Sequence, residues 1–297
     1  MKVLFESALG GFALDGQKIV DQGDMKQLVK KYPDARIADE TQSFRLLPLL
    51  KDSRYFTAFR YAHLRATLQS LRTMDVTDIL ITHAIQSVQE IDSVAHVLVK
   101  RCREWYGIYC PETRLIADNL NFVETIMKAS KLQILEQLNI PEAQSLGVSI
   151  DKPDVLQMQL LAEEAAHLYH LRQLHETYLS SVLKRHCSNV QELCGTLIAA
   201  KLIAKAGSLK RLALLPSSTI QLLGAEKALF RHLTRKARSP KHGFIVNHPI
   251  VQRVPRMMKG KAARALADKI SMCARLDYFK GAFKAKEYMK ELEARFQ

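Results

Sequence analysis

The sequence predicts a mostly α protein: a small α/β domain at the N-terminus, a central antiparallel coiled-coil hairpin and an all-α domain at the C-terminus. Three observations predict this. Gly and Pro are scarce, at 12 and 9 of 297 residues, and few helix breakers leave room for long helices. Beyond Thr77, apolar residues recur three and four positions apart, which is the helical period. Near the N-terminus, short apolar runs alternate with glycine-marked turns, which is the pattern of strands. The predicted divisions are 1–110 for the α/β domain with a long connecting helix, 111–187 for the hairpin and 188–297 for the last domain.

The elements follow in chain order. Val3–Leu4–Phe5 and Phe12–Ala13–Leu14 flank Gly10–Gly11, which predicts a β-hairpin. Lys18–Val20 and Arg36–Ala38 add strands around a helix near Asp24–Lys31, and Arg54–Arg72 is predicted helical. From Thr77 to Tyr106 the residues Ala84, Val88, Ile91, Ala95, Leu98, Cys102 and Trp105 stand 4, 3, 4, 3, 4 and 3 apart, a heptad seam. Thr77 is the predicted N-cap, with Gly107 and Pro111 as the stop. One hairpin arm is predicted over Leu115–Leu138 and the other over Asp154–His186, with Pro141, Gly147 and Pro153 in the turn between them. Leu161, Ala165, Leu168, Leu171, Tyr178 and Val182 form an apolar stripe on the second arm. Either a second copy covers this stripe, making a homodimer, or it packs within its own domain.

The C-terminal part is helical and tightly punctuated. Leu193–Ala206 is predicted as one helix ending at Gly207, and Ser208–Leu215 as a short one ending at Pro216. Ser218 and Gln221 have the capping-box spacing that would start the next helix. Pro240–Pro255 is a predicted loop, Lys259–Phe279 a long final helix, and Ala282–Phe296 a weakly helical tail.

Composition narrows the function. No apolar run approaches the roughly 18 residues of a membrane span, and the N-terminus reads as strand–turn–strand and not as a signal peptide. The chain is therefore expected inside the cell, away from membranes. Its five cysteines, Cys102, Cys110, Cys187, Cys194 and Cys273, are odd in number and contain no CxxC pair. Reduced, buried thiols are expected, with neither a disulfide framework nor a zinc ribbon. No GxGxxG, GxxxxGK[ST] or GxSxG segment occurs, so neither a cofactor nor catalysis is expected. Glu164 and His167, with His170 and His175, make the best metal candidate, but a di-iron bundle needs a second Glu-xx-His copy and more carboxylates. Cys187 beside His186 lacks an orienting partner for nucleophilic work.

Charge carries the positive signal. Net charge is +14, and residues 189–297 hold 22 Lys+Arg against 7 Asp+Glu, while 1–188 hold 22 against 23. Such an excess repels itself unless a polyanion neutralises it, which points to nucleic acid; the alternative is a solvated basic face. Lys227 and Arg231 are one helical turn apart, Lys241 and His242 lie in a loop, and Asn247 and His248 lie further along it. Lys259, Lys261 and Arg264 crowd the start of the last long helix. Lys and Arg would hold the backbone, while Phe230, Asn247 and His248 could stack on or read an exposed base.

At these residues the chain resembles a known family. AAKLIAKAGSLKRLALLPSSTIQLLGAEKALFRHL, SPKHGFIVNHP and GKAARALADKISMCARLDYF resemble the Nop domain of box C/D ribonucleoprotein core proteins. That family includes archaeal Nop-five and the nucleolar Nop-fifty-six and Nop-fifty-eight proteins. DILITHAIQSVQEIDSVAHVLVKRCREWYGIYCPE resembles its long helix with a Trp-Tyr-Gly and Pro-Glu signature, and VLFESALGGFAL resembles its first strand pair. The resemblance implies a non-catalytic scaffold for RNA-guided 2′-O-methylation. Its N-terminal domain would bind the methyltransferase fibrillarin, where S-adenosylmethionine would sit. Its coiled coil would form the homodimer, and its Nop domain would clamp a box C/D kink-turn RNA carrying an L-seven-Ae-type protein. By position, Gly224, Ala225, Glu226 and Lys227, then Ala228 to Arg231, would lie near the RNA and that protein. Asn247 falls where splicing relatives have a base-contacting polar residue, with His248 beside it. The runner-up is a splicing-type RNA-binding scaffold without a methyltransferase partner. The family often carries a Lys/Glu-rich tail and this sequence stops at Gln297, so an archaeal, cytoplasmic form is expected over a nucleolar one. Leu47–Arg72 matches the family poorly.

Overall fold

The computed structural model describes residues 2–7, 9–16, 18–51, 53–235 and 237–296, with two units spanning Met1–Asp75 and Val76–Gln297. In the first unit, β1 (Lys2–Ser7), β2 (Gly10–Asp15), β3 (Lys18–Gly23) and β4 (Arg36–Ile37) form a sheet in the order β3-β2-β1-β4. The hairpin pairs Val3 with Leu14 and Phe5 with Phe12, and β4 runs parallel to β1. A parallel neighbour requires a crossover, and α1 (Met25–Lys31), capped by the Asp24 side chain, supplies it. Alternation puts Leu4 and Ala13 on the face that α1 covers through Leu28. Phe5, Phe12 and Leu14 lie on the other face, under Leu50 and the half-buried Tyr55 and Phe59. Those last residues belong to the segment that follows α2 (Glu40–Leu46), a 3-10 turn over Leu47–Lys51 and then α3 (Ser53–Arg72).

The second unit is helical. Its long pair is α4 (Thr77–Tyr109) and α7 (Lys152–His186). Between them come a 3-10 turn (Pro111–Leu115), α5 (Asn119–Lys128) and α6 (Lys131–Gln137). Asp118 caps α5, and Ser130 with Gln133 forms a capping box on α6. The pair is antiparallel: Ile81, Ile85 and Val88 meet Leu179, Val182 and Leu183 at one end. Val99, Cys102 and Tyr106 meet Met158, Ala162 and Ala165 at the other, under Phe122, Ile126 and Ile134 of α5 and α6. Arg172 bridges Asp92 and Glu176 midway.

Several expectations are corrected here. The first arm is not 115–138, which breaks between Lys128 and Lys131; α7 pairs with α4 instead. Of the predicted stripe, Ala165 and Val182 are buried, Leu161 and Leu168 half-buried, and Leu171 and Tyr178 exposed. Trp105 is exposed and Tyr106 takes the interior position, one residue on. Gly107 lies inside α4, and the N-cap is Val76 and not Thr77.

The C-terminal body comprises α8 (Ser188–Cys194), α9 (Thr196–Ala206), α10 (Leu209–Leu214), α11 (Ser217–Leu222), α12 (Glu226–Arg235), α13 (Pro249–Arg253), α14 (Lys259–Tyr278) and α15 (Ala285–Arg295). The helix predicted over 193–206 is two, because Gly195 adopts φ 77 and ψ 161 between them, a conformation open to glycine. The predicted loop 240–255 contains a 3-10 turn (Phe244–Asn247) and α13. Ser218 makes no cap; α11 starts after Pro216. At the centre, α14 buries Ala262, Ala263, Ala267, Ala274, Leu266 and Ile270, and small residues let neighbouring helices approach closely.

A buried polar cluster ties three helix ends together. The Asp277 carboxylate accepts the Asn189 amide (3.0 Å), its Nδ2–H (2.9 Å) and the Val190 amide (2.9 Å). Asn189 Oδ1 in turn accepts the Lys284 and Ala285 amides at 2.7 and 3.1 Å. The free N–H groups at the starts of α8 and α15 thus find acceptors.

Candidate nucleic-acid interface

The run from α11 to α12 turns sharply at Leu223–Gly224–Ala225. Gly224 has φ +90, and a Cβ there would stand 2.6 Å from the Phe244 ring. The turn is seated on the following loop by backbone bonds: the Phe244 amide donates to Leu223 (2.8 Å) and the Gly243 amide to Gln221 (2.8 Å). The Gln221 side chain, expected to pair with Ser218, instead donates to the Lys241 carbonyl. A Cβ on Gly243 would lie 1.9 Å from the Leu223 carbonyl oxygen, so the two backbones touch with no room between them.

Glu226 closes the turn. Its carboxylate accepts the Gly224 amide (2.9 Å) and pairs with Lys205 of α9 at 3.3 Å. Burial alone would raise this carboxyl, but the Gly224 and Glu226 amides and the Lys205 ammonium together hold it below the ordinary carboxylate value. Lys205 carries no signal in the sequence because its partner lies 21 positions away on another helix.

From that anchor α12 projects with none of its residues fully buried. Lys227 and Arg231 are exposed one turn apart, and Phe230 and Leu233 are 66% and 73% exposed. A projecting helix with two cations and bare apolar side chains can hold phosphates and stack on a flat ring. Lys241 belongs to the same neighbourhood: its stem lies against Gly260, where a Cβ would meet it at 3.3 Å. Lys241 is thereby set beside the start of α14, where Lys261 and Arg264 are exposed three positions apart. His242 is half-buried in the adjoining loop.

Asn247 and His248 lie elsewhere. Exposed Asn247 borders a cleft of about 830 Å³, together with Thr196 and Lys201 of α9 and Ser180 and Lys184 of α7. His248 corrects the expectation of a base-reading side chain, for it is 3% exposed. Its Nε2–H donates to the Leu193 carbonyl (2.9 Å) and Nδ1 accepts the Ile250 amide (3.3 Å), which caps α13. The carbonyl can only accept, so the proton sits on Nε2.

Burial holds the His248 imidazole below its ordinary value, and the Leu193 carbonyl offsets part of that. As pH falls below about 6.5 the unfolded chain therefore takes up a proton that the folded chain resists. This stability is present above about pH 6.5 and lost below it. The denaturant midpoint is expected to fall between about pH 7.5 and about pH 5, and to fall less in His248→Gln; equal falls would remove His248 as the source.

The other sites considered stand apart from this surface. Among the described residues no group of three or more His, Cys, Asp or Glu side chains gathers in a way that could hold a metal ion. His167 and Glu164 are exposed and 3.9 Å apart. Burial pushes the Cys187 thiol far up, and the His186 ring is turned to Asp78 at 2.8 Å. All five cysteines are buried and free. No helix among the described residues is long and apolar enough to cross a membrane.

Residues 87–297 match the Nop family, described as "snoRNA binding domain, fibrillarin". A NOP5 family protein of Methanocaldococcus jannaschii is 37% identical over 235 residues, 74% of this chain and 56% of that protein. Nucleolar protein 58 of Candida glabrata is 35% identical over 218 residues, 68% of this chain and 42% of that protein. The chain thus spans about half the length of the curated relatives it matches. A chain of a crystal structure of a fibrillarin/Nop5p complex aligns over 99% of this chain and 100% of its own, at 20% identity and a TM-score of 0.48.

Proposed function

Because the chain belongs to the Nop family of snoRNA-binding domains, we propose that it is a scaffold of a box C/D guide ribonucleoprotein. It holds kink-turn RNA and an L-seven-Ae-type protein on the surface built around α12, and carries fibrillarin on its N-terminal unit. The particle would methylate ribose 2′ oxygens of rRNA or tRNA, with S-adenosylmethionine bound to fibrillarin and the chemistry performed there. The archaeal cytoplasm is the setting proposed for it. One observation carries the RNA reading: a projecting helix bearing Lys227, Arg231 and the bare ring of Phe230, pinned by the Gly224 turn in the part of the chain with 22 Lys+Arg against 7 Asp+Glu. The deciding experiment is reconstitution with fibrillarin, the kink-turn protein and a box C/D RNA, scored for methylation; absence of RNA-dependent assembly would end the proposal.

Each phosphate contact releases about 0.9 counterion on a B-form duplex and about 0.7 on a single strand. Lys227→Ala and Arg231→Ala are therefore each expected to weaken assembly and to flatten the plot of log affinity against log salt by about 1 unit of slope. An unchanged slope would take both residues off the phosphate backbone.

We also propose that two copies join at the far end of the α4–α7 pair. The stripe predicted for that contact is partly spent on α4, but the tip carries fresh apolar surface. Leu115 and Val148 are exposed there and Leu146 is 87% exposed. They are set in place by the Leu146 amide bonding Glu112 (2.9 Å) and the Val148 amide bonding Ile108 (3.0 Å). Bare aliphatic groups on a fixed frame favour self-association. Light scattering at micromolar concentration should report twice the chain mass, and a monomer there would refute the contact.

A further inference from the structure

The face of α3 turned away from the sheet carries an exposed apolar stripe. Only its first two turns are anchored, through the half-buried Tyr55 and Phe59. Beyond them Tyr61, Leu64, Leu68 and Leu71 are 68%, 49%, 54% and 58% exposed. They stand 3, 4 and 3 apart, so they fall at a, d, a and d of two heptads and form one stripe on the helix. An exposed stripe of large apolar groups at this spacing is shaped for a second helix.

The flanks say which helix. With Tyr61 at a, Arg60 occupies a g position and Arg65 and Arg72 occupy e positions, where charges set partner choice. The whole of α3 carries Arg54, Arg60, Arg65 and Arg72 and has no Asp or Glu. A second copy of α3 would bring arginine against arginine in either orientation, which is repulsive. An RNA strand would leave the leucines without partners, since bases stack on flat rings and not on aliphatic side chains. From the spacing and charge complementarity together we infer that α3 is a docking helix for an acidic amphipathic helix of another protein, with leucine-type residues at a and d and Glu or Asp at e and g. This surface is independent of the RNA reading above.

The probe is a synthetic four-heptad peptide with Leu at a and d and Glu at e and g, fluorescently labelled and titrated with the full chain. Binding should be salt-sensitive and fall at least about 100-fold in the double variant Leu64→Asp with Leu68→Asp, whose charges would sit in the seam. The triple variant Arg60→Glu, Arg65→Glu, Arg72→Glu should lose the Glu peptide and gain the matching Lys peptide. That exchange of partners separates recognition from misfolding, and circular dichroism of both variants should match the parent. The inference is overturned if the peptide does not bind. It is overturned equally if the seam variant binds as before, if the parent takes Lys and Glu peptides alike, or if the chain self-associates through α3.

Discussion

Asp277→Ala removes roughly 3–5 kcal/mol of folding stability, the largest single-site loss expected in the C-terminal body. The carboxylate is 7% exposed and takes three N–H groups at 2.9–3.0 Å, two of them backbone amides at the start of α8. Hydrogen bonds to a charged acceptor contribute about 1.5–3 kcal/mol each, and a buried donor left without a partner costs about 1–3 kcal/mol. The effect spreads through Asn189, whose side chain links Asp277 to the first amides of α15. Chemical denaturation reads the total, and hydrogen exchange reads the spread: amides of α15 should exchange faster than those of α9. A loss below about 1 kcal/mol would show that water or a shifted side chain replaces the carboxylate.

Gly243→Ala is the second large effect, and it acts on the surface proposed for RNA. The new Cβ needs space now filled by the Leu223 carbonyl, 1.9 Å away. Relief requires the two backbones to part, giving up the Gly243–Gln221 and Phe244–Leu223 bonds. Two net hydrogen bonds at about 1 kcal/mol each, with about 1–3 kcal/mol for overpacking, make about 3–5 kcal/mol. The Gly224 turn loses its seat on Phe244, and α12 loses its direction. Assembly on the RNA–protein complex should weaken at least tenfold in protein that remains folded by circular dichroism. Unchanged affinity would mean that the pose of α12 is set elsewhere.

The legible parts of this molecule were those set by near neighbours in sequence. Short apolar runs at Val3–Leu4–Phe5 and Phe12–Ala13–Leu14 around Gly10–Gly11 mark the hairpin, and Leu4, Phe5, Phe12, Ala13 and Leu14 are all buried. Three-and-four spacing placed α4, whose seam residues Ala84, Val88, Ala95 and Cys102 are buried. Spacing names the apolar face of a helix but not its cover: residues 115–138 read as the partner of α7, whereas α4 runs along it and α5 and α6 cover only one end. A glycine within a helical pattern reads as a tolerated defect, which hid the break at Gly195. Polar residues were the least legible. Gln221 had the spacing of a cap partner yet reaches the Lys241 carbonyl, His248 sat in a basic loop yet bonds Leu193, and Asp277 meets Asn189 across 88 positions. Such partners exist only once the chain has packed. The cations of α12 and α14 were legible because a solvated charge needs no neighbour to be recognised.

In the proposed two-copy assembly the α4–α7 pair would set a length scale. A 35-residue helix rising 1.5 Å per residue measures about 50 Å, and its ends differ in kind: apolar tip at one, basic body at the other. Crossed along its length by the Arg172 bridge and packed at both ends, such a strut resists bending. Two copies joined tip to tip would therefore act as a ruler on the order of 100 Å. RNA elements spaced to that gauge could occupy both bodies at once, so the register of the guide would be measured by protein helix turns as well as by base pairs.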